Sequence, residues 1–410
     1  MKFLKYTFLL FLTILFTGSE VSAQKDFDPA YEAIKPRVSY IPGIKVIRGE
    51  TQLIIPMRES FCPNGTVFKF NNGDIQVYDR RSSDGGKSWH KVDHILEAST
   101  YQYPEPDGEV MMFRSSDAGN ARGSSVWGRP ENSMKETNKK FVFEASFFHS
   151  NDNGLTLTED TARIYLPLEL NDWSGVLCRK IVRISDGSLL MSMYGQSKKK
   201  NGGRYCVLAI SSTDRGKTWH YLSTIAFGLG DGAQSEGFNE TSLLVLPDGK
   251  ILGFVRSSGS YEASLGSTNN NDSTVKMPFG YQKPTPVYMC MSIDGGKNWS
   301  NADPVAPFGV WPDAVLMKNG IIAVNYGRPG DWIMFSKDEG ESWGPVIPFY
   351  NDLYPPDCGN YFSSAEVAPD ILLVVYARTD PNDHWKSEIV GTYFHVERVI
   401  NTVTRSQEPM

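Results

Sequence analysis

Residues 212–219 read STDRGKTW, and the frame Ser-x-Asp-x-Gly-x-x-Trp returns as SSDGGKSW (82–89), SIDGGKNW (292–299) and SKDEGESW (336–343). A fifth stretch, SNDNGLTL (150–157), keeps Ser150, Asp152 and Gly154 and sets Leu157 in the Trp place. Such a frame encodes a tight β-turn. The Asp carboxylate accepts backbone N–H groups, the Gly permits positive φ, and the Trp folds back over its hairpin. Self-similarity along a whole chain marks a repeat architecture, so these turns number structural units and have no share in catalysis.

Apolar hairpins lie between the turns. Aligned on their turn glycine they are NGTVFKFNNGDIQVYDR (64–80), CRKIVRISDGSLLMSMY (178–194), ETSLLVLPDGKILGFVR (240–256) and WPDAVLMKNGIIAVNYG (311–327). YFSSAEVAPDILLVVYA (361–377) fits with Asp370 in the glycine place, and a weaker copy, TYQYPEPDGEVMMFRSS (100–116), precedes the degenerate turn. Each unit is then a hairpin, a third strand, the Asp-bearing turn and a fourth strand. Six four-stranded units predict an all-β fold, a six-bladed β-propeller. No stretch has useful helical periodicity. The spare strand KVIRGETQLII (45–55) is expected to close the ring by pairing with the last unit. This divides the chain into a signal peptide (1–23), a lead segment (24–44), a single propeller domain (45–400) and a tail (401–410).

The start, MKFLKYTFLLFLTILFTGSEVSAQ, has two lysines, a short apolar stretch and Val21-Ser22-Ala23 before Gln24. It reads as a secretory signal cleaved after Ala23, which predicts a secreted or periplasmic protein. The apolar stretch is short for a membrane span and no other segment is apolar enough to cross a bilayer. A net charge of -6 argues against nucleic acid as a partner. Five cysteines without Cys-x-x-Cys spacing and six scattered histidines predict no metal centre and no cofactor.

In a propeller the start of each first strand and the end of each second strand share one face. The repeat alignment puts Asn64, Cys178, Glu240, Trp311 and Tyr361 at first-strand starts, and Arg80, Tyr194, Arg256, Arg328 and Arg378 at second-strand ends. A hairpin brings its outer ends together, so Glu240 and Arg256 are expected side by side. Arginines converging near Glu240 and Tyr361 suit an anionic ligand, because guanidinium donors match a carboxylate two by two. Trp311 stands among them as a candidate stacking surface for a ligand. Each residue also has a structural reading: Tyr361 as a core aromatic, Glu240 with Arg256 as a framework pair, Arg328 as a loop arginine.

The repeated turns are Asp-boxes, and with the order Glu240, Arg256, Arg328, Tyr361 the chain resembles the bacterial exo-sialidases and their BNR-repeat superfamily over nearly all of its length after the signal. The resemblance implies a secreted glycoside hydrolase that removes a terminal acidic sugar from a glycan with retention. Tyr361 would be the nucleophile, Glu240 its activating base, and Arg256 and Arg328 a clamp on the sugar carboxylate. The chain departs from the family in the first blade, FCPNGTVFKFNNGDIQVYDRRSSDGG (61–86), which lacks the Arg-Ile-Pro motif and the loop carrying an acid/base Asp. SYIPGIK (39–45) has Tyr40 where that Arg would stand. Arg80 is a candidate third guanidinium, and Asp79 and Asp313 are candidates near the mouth. Two alternatives stand beside this reading. One is a polysaccharide lyase or another glycosidase acting on uronate- or rhamnose-containing glycans, and the other is a carbohydrate-binding propeller without turnover.

Overall fold

A computed structural model describes residues 43–59, 67–96, 103–104, 108–113, 135–137, 140–170, 173–197, 202–228, 237–258, 286–307, 309–327, 330–350, 362–380 and 383–399. The fold is all-β. Among the described residues the one helical element is the 3-10 turn Leu168–Leu170.

The spare strand Ile44–Glu59 pairs antiparallel with the last strand, Asp383–Arg398, from Ile44 opposite Arg398 to Glu59 opposite Lys386. It forms the outer edge of a four-stranded sheet whose further members are Ile371–Asp380 and Phe362–Ala368. A second four-stranded sheet holds Val310–Leu316, Ile322–Gly327, Asp331–Ser336 and Val346–Tyr350. The largest sheet joins three antiparallel runs by short parallel contacts. The middle run, Ser174–Arg183 to Thr218–Phe227, meets the next through the single pair Tyr205–Gly237 and the previous through Thr218–His220 beside Arg163–Tyr165.

The Asp-boxes behave alike in all five copies. In the first, Ser82 Oγ donates to Asp84 Oδ1 at 2.7 Å and accepts the Gly86 N–H at 2.8 Å. Asp84 in turn accepts the Ser88 N–H at 3.0 Å and its hydroxyl at 2.6 Å. Asp152 holds Thr156 in the same way, Asp214 holds Thr218, Asp294 holds Asn298 and Asp338 holds Ser342. The copy with Leu157 therefore retains the whole network.

The tryptophans do not simply fold over their own hairpins. Trp219 donates to the Gly216 carbonyl of its turn at 2.8 Å, but its ring meets Phe113 of the preceding run at a centroid distance of 6.0 Å. Trp343 packs edge-on against Phe254 of the sheet before it, at 5.6 Å. Trp299 reaches back to Ser223 Oγ at 3.1 Å, and Leu157 joins Phe68 and Phe70 of the first sheet. The turn glycines complete the contact. A Cβ on Gly154 (φ 78°) would lie 2.7 Å from the Phe70 ring, and one on Gly216 (φ 84°) 3.1 Å from Phe147. The first box meets the last sheet, where Tyr393 Oη donates to the Gly86 carbonyl at 2.9 Å.

The first unit is smaller than the sequence suggests. Ile75 to Val77 pair with Val67–Lys69, but at Tyr78 (φ 52°) the chain doubles back. Seven residues of extended strand span about 23 Å, yet Arg81 Nε and Nη2 lie 2.9 and 2.7 Å from Asp74 Oδ2. Second and third strands are compressed into one interrupted strand, Ile75–Ser82. Arg80 accordingly sits beside a tight reversal and not at the end of a full-length second strand.

Two measurements test these turns. Burial of Trp219 is complete, so Trp219→Ala is expected to cost about 3–5 kcal/mol in urea unfolding. Hydrogen bonds from the Asn298 side chain and backbone lower the Asp294 carboxyl from 3.8 to about 2. A carboxyl depressed on folding stabilises fully above its unfolded value and loses that contribution as pH falls through the folded one. Thermal melts should show stability falling between about pH 4 and pH 2, and Asp294→Ala should be less stable at neutral pH with a shallower fall across that window.

Candidate active site

Three inner strands carry an irregularity at the same level. In Gly237–Val245, Phe238 pairs with Ser257 and Thr241 with Val255, so Asn239 and Glu240 together oppose Arg256. In Val310–Leu316, Trp311 and Pro312 oppose Tyr326. In Ser174–Arg183, Cys178, Arg179 and Lys180 oppose Ser192. An extra residue against a partner strand breaks the ladder and re-aims side chains, which lets charged groups leave the alternation that would send them into sheet packing. The Glu240 bulge is held from within: its N–H donates to Asn239 Oδ1 at 2.9 Å, and Thr241 Oγ1 donates to the Asn239 carbonyl at 2.6 Å.

The expected hairpin pair is present. Arg256 Nη1 lies 2.9 Å from Glu240 Oε1. Glu240 Oε2 accepts the backbone N–H of Trp311 from the next sheet at 2.8 Å. Trp311 holds a φ of 48°, a left-handed conformation that costs a bulky residue energy and persists only where the surroundings impose it. Its ring is flanked by the Arg179 guanidinium at 4.9 Å and by Tyr194, edge-on, at 6.4 Å. Arg179, 7% exposed, donates through Nη1 to the Phe362 carbonyl, tying this strand to the last sheet. Beneath them, burial pushes the Cys178 thiol up to about 12, with the Glu240 charge adding to the effect.

The structure thus brings Glu240, Arg256 and Trp311 together. Asp313, two residues beyond Trp311, is 1% exposed and turns inward, where it meets Lys180 Nζ at 2.8 Å and the Ser364 N–H at 2.8 Å. Arg80 pairs with its neighbour Asp79 at 3.0 Å. Tyr361 and Arg328 lie outside the described residues. Arg179 and Lys180 were missed in the sequence reading, although a signal was present: adjacent cations interrupt the apolar run GVLCRKIV (175–182). Among the described residues no group of three or more His, Cys, Asp or Glu side chains could hold a metal ion. Nor, among those residues, is any helix long and apolar enough to cross a membrane.

Stacked antiparallel sheets stapled by Asp-boxes, with a carboxylate–guanidinium pair at the inner strands, define a propeller-type repeat protein. The BNR repeat-like domain family matches residues 71–356, and the chain belongs to that family. Among solved structures it is similar to a Dyadobacter fermentans protein of unknown function, with 16% identity over 87% of this chain and 100% of that one and a TM-score of 0.59. It is also similar to an α-L-arabinanase of Penicillium chrysogenum complexed with arabinobiose, with 15% identity over 84% and 98% of the two chains and a TM-score of 0.54. An intramolecular trans-sialidase of Ruminococcus gnavus aligns over 90% and 97% at 12% identity and a TM-score of 0.48. No curated protein sequence matches the chain.

Removing one member of a largely buried ion pair leaves the other charge uncompensated. Arg256→Leu is therefore expected to destabilise the fold by about 3 kcal/mol. Arg256→Leu combined with Glu240→Gln should recover part of that loss, a double-mutant cycle read by urea denaturation.

Proposed function

We propose that the protein is an exported glycoside hydrolase that removes a terminal sugar from a glycan at one mouth of a six-bladed β-propeller. Glu240 carries this reading. It is a carboxylate 9% exposed, set in a bulge, with one oxygen on Arg256 and the other on a backbone N–H of the next sheet. A carboxylate fixed by two donors has a set direction, which is what a general base needs. The six-blade reading is supported by five Asp-box contacts that run from unit to unit, the first box meeting the last sheet. Export rests on the sequence of residues 1–23.

In the chemistry that the sialidase resemblance implies, the Tyr361 phenol oxygen bonds to the anomeric carbon as the glycosidic bond breaks and the departing oxygen takes a proton from water. Glu240 takes the phenolic proton, and water then releases the sugar with retention. Arg256 and Arg328 would hold an acidic group, with Arg80 as a third guanidinium. Trp311 would offer its ring to the sugar and Asp313 a carboxylate deeper in. A neutral terminal sugar such as arabinose is the second reading. It is favoured by Arg256 and Arg80, each of which spends its charge on a protein carboxylate, and it agrees with the α-L-arabinanase likeness.

The test is release of 4-methylumbelliferone from its N-acetylneuraminic acid glycoside against release of p-nitrophenol from the α-L-arabinofuranoside. Glu240→Gln is expected to lower kcat by about 10²–10⁴ on the true substrate, and Tyr361→Phe to abolish turnover with folding intact. Full activity in Tyr361→Phe would remove the nucleophile assignment. An unsaturated product absorbing in the near ultraviolet from uronate polysaccharides would identify a lyase instead. Glycan binding without any product would leave a carbohydrate-binding propeller.

A further inference from the structure

Arg179 sits where three sheets meet. Its strand, Ser174–Arg183, belongs to the largest sheet. Its guanidinium lies 4.9 Å from the Trp311 ring on a second sheet, and Nη1 donates to the Phe362 carbonyl on a third. The bulge explains this reach. Cys178, Arg179 and Lys180 together oppose Ser192, so the two adjacent cations both turn inward. There they line a cavity of about 400 Å³, and Lys180 meets Asp313 at 2.8 Å.

A guanidinium held at 7% exposure gives up hydration, and an apolar side chain of like volume often holds a core as well or better. What an apolar side chain lacks is a planar fork whose edge donates while its face lies on an aromatic ring. Arg179 uses both, and each contact adjoins a group of the proposed reaction. The Phe362 carbonyl is one residue beyond Tyr361. Trp311 directs Glu240 Oε2 through its N–H at 2.8 Å, from a left-handed backbone (φ 48°). Such a backbone persists only while its surroundings impose it.

We propose that Arg179 is a positioning residue for the reaction, fixing the strand entry after Tyr361 against the Trp311 peptide that directs Glu240. The inference rests on the glycosidase reading and adds to it a cation that acts through Phe362 and Trp311. Without the guanidinium the Trp311 ring loses one flank, and its backbone is free to relax and turn the N–H from Glu240. The Phe362 carbonyl loses its charged donor at the same time. Nucleophile and base then shift relative to each other, and a misplacement of about 1 Å costs about 10²-fold in rate.

The test is steady-state kinetics of Arg179→Met and Arg179→Lys on whichever of the two glycosides above the parent protein cleaves, beside thermal melts of each variant. Arg179→Met is expected to lose about 10²-fold in kcat with KM within about threefold of the parent, since no substrate contact is removed. Arg179→Lys keeps a charge and a donor without the planar stack, and should recover about tenfold of that loss. Where Arg179→Met does not fold, Arg179→Lys decides alone: a kcat about tenfold below the parent supports the role, and the parent kcat overturns it. A lowered Tm with parental kcat would make Arg179 a structural tie and overturn the proposal. So would a raised KM at unchanged kcat, which marks substrate binding. Full activity in Glu240→Gln, or cleavage of neither glycoside, would remove the glycosidase reading and this role with it. A slow Glu240→Gln beside a fully active Arg179→Met would remove this role alone.

Discussion

The serine hydroxyl at the head of each Asp-box is the contact on which the molecule depends. It donates to the box carboxylate and accepts the glycine N–H, so one buried oxygen fixes both sides of the turn. The carboxylate then fastens the residue four positions on, and the whole turn becomes a rigid plug. What the plug presents is a glycine face and an aromatic or leucine side chain, and both press on the sheet before it. The box therefore does more than reverse a chain. Sheets whose mutual backbone pairing is as slight as one residue pair are joined chiefly by packing, and the boxes supply its fixed points.

Rigid packing outside permits irregularity inside. An inner strand locked by its neighbours can tolerate one or two extra residues, and three of them do, at the level where Arg179, Glu240 and Trp311 stand. The left-handed backbone of Trp311 is of the same kind, an unfavourable conformation kept because its N–H meets the Glu240 carboxylate. One carboxylate thereby couples two sheets, joining Arg256 across its own hairpin to a backbone donor on the next.

The fold was legible because turn chemistry is local: Ser, Asp and Gly at fixed spacing need no tertiary context to be recognised. The same pattern held a further letter, the residue just before the Trp place, whose hydroxyl or amide meets the Asp in every copy. The destination of the tryptophans was less legible, since packing against a preceding sheet leaves no mark in the eight-residue frame. Within the site, Glu240 with Arg256 followed from hairpin geometry alone. The reversal at Tyr78 did not, because DIQVYDRRSS (74–83) has the alternation of one continuous strand, and it is the left-handed Tyr78 backbone and the Arg81–Asp74 contact that reveal the fold-back. Arg179 and Lys180 escaped because the alignment used turn glycines as its origin, and a bulge shifts register without shifting the turn.

The distribution of charge follows from these constraints. The chain carries a net charge of -6, yet its inner cavity is lined by more cations than carboxylates. A rim of acidic and basic groups paired across a hairpin loses little by being near water, since each charge has its partner at hydrogen-bond distance. The inner cations have no such symmetry. Asp313 pairs with Lys180, and Glu366 accepts two backbone N–H groups while its charge acts on Lys69. With four cations against two carboxylates in its lining, the cavity has a charge opposite in sign to that of the chain as a whole.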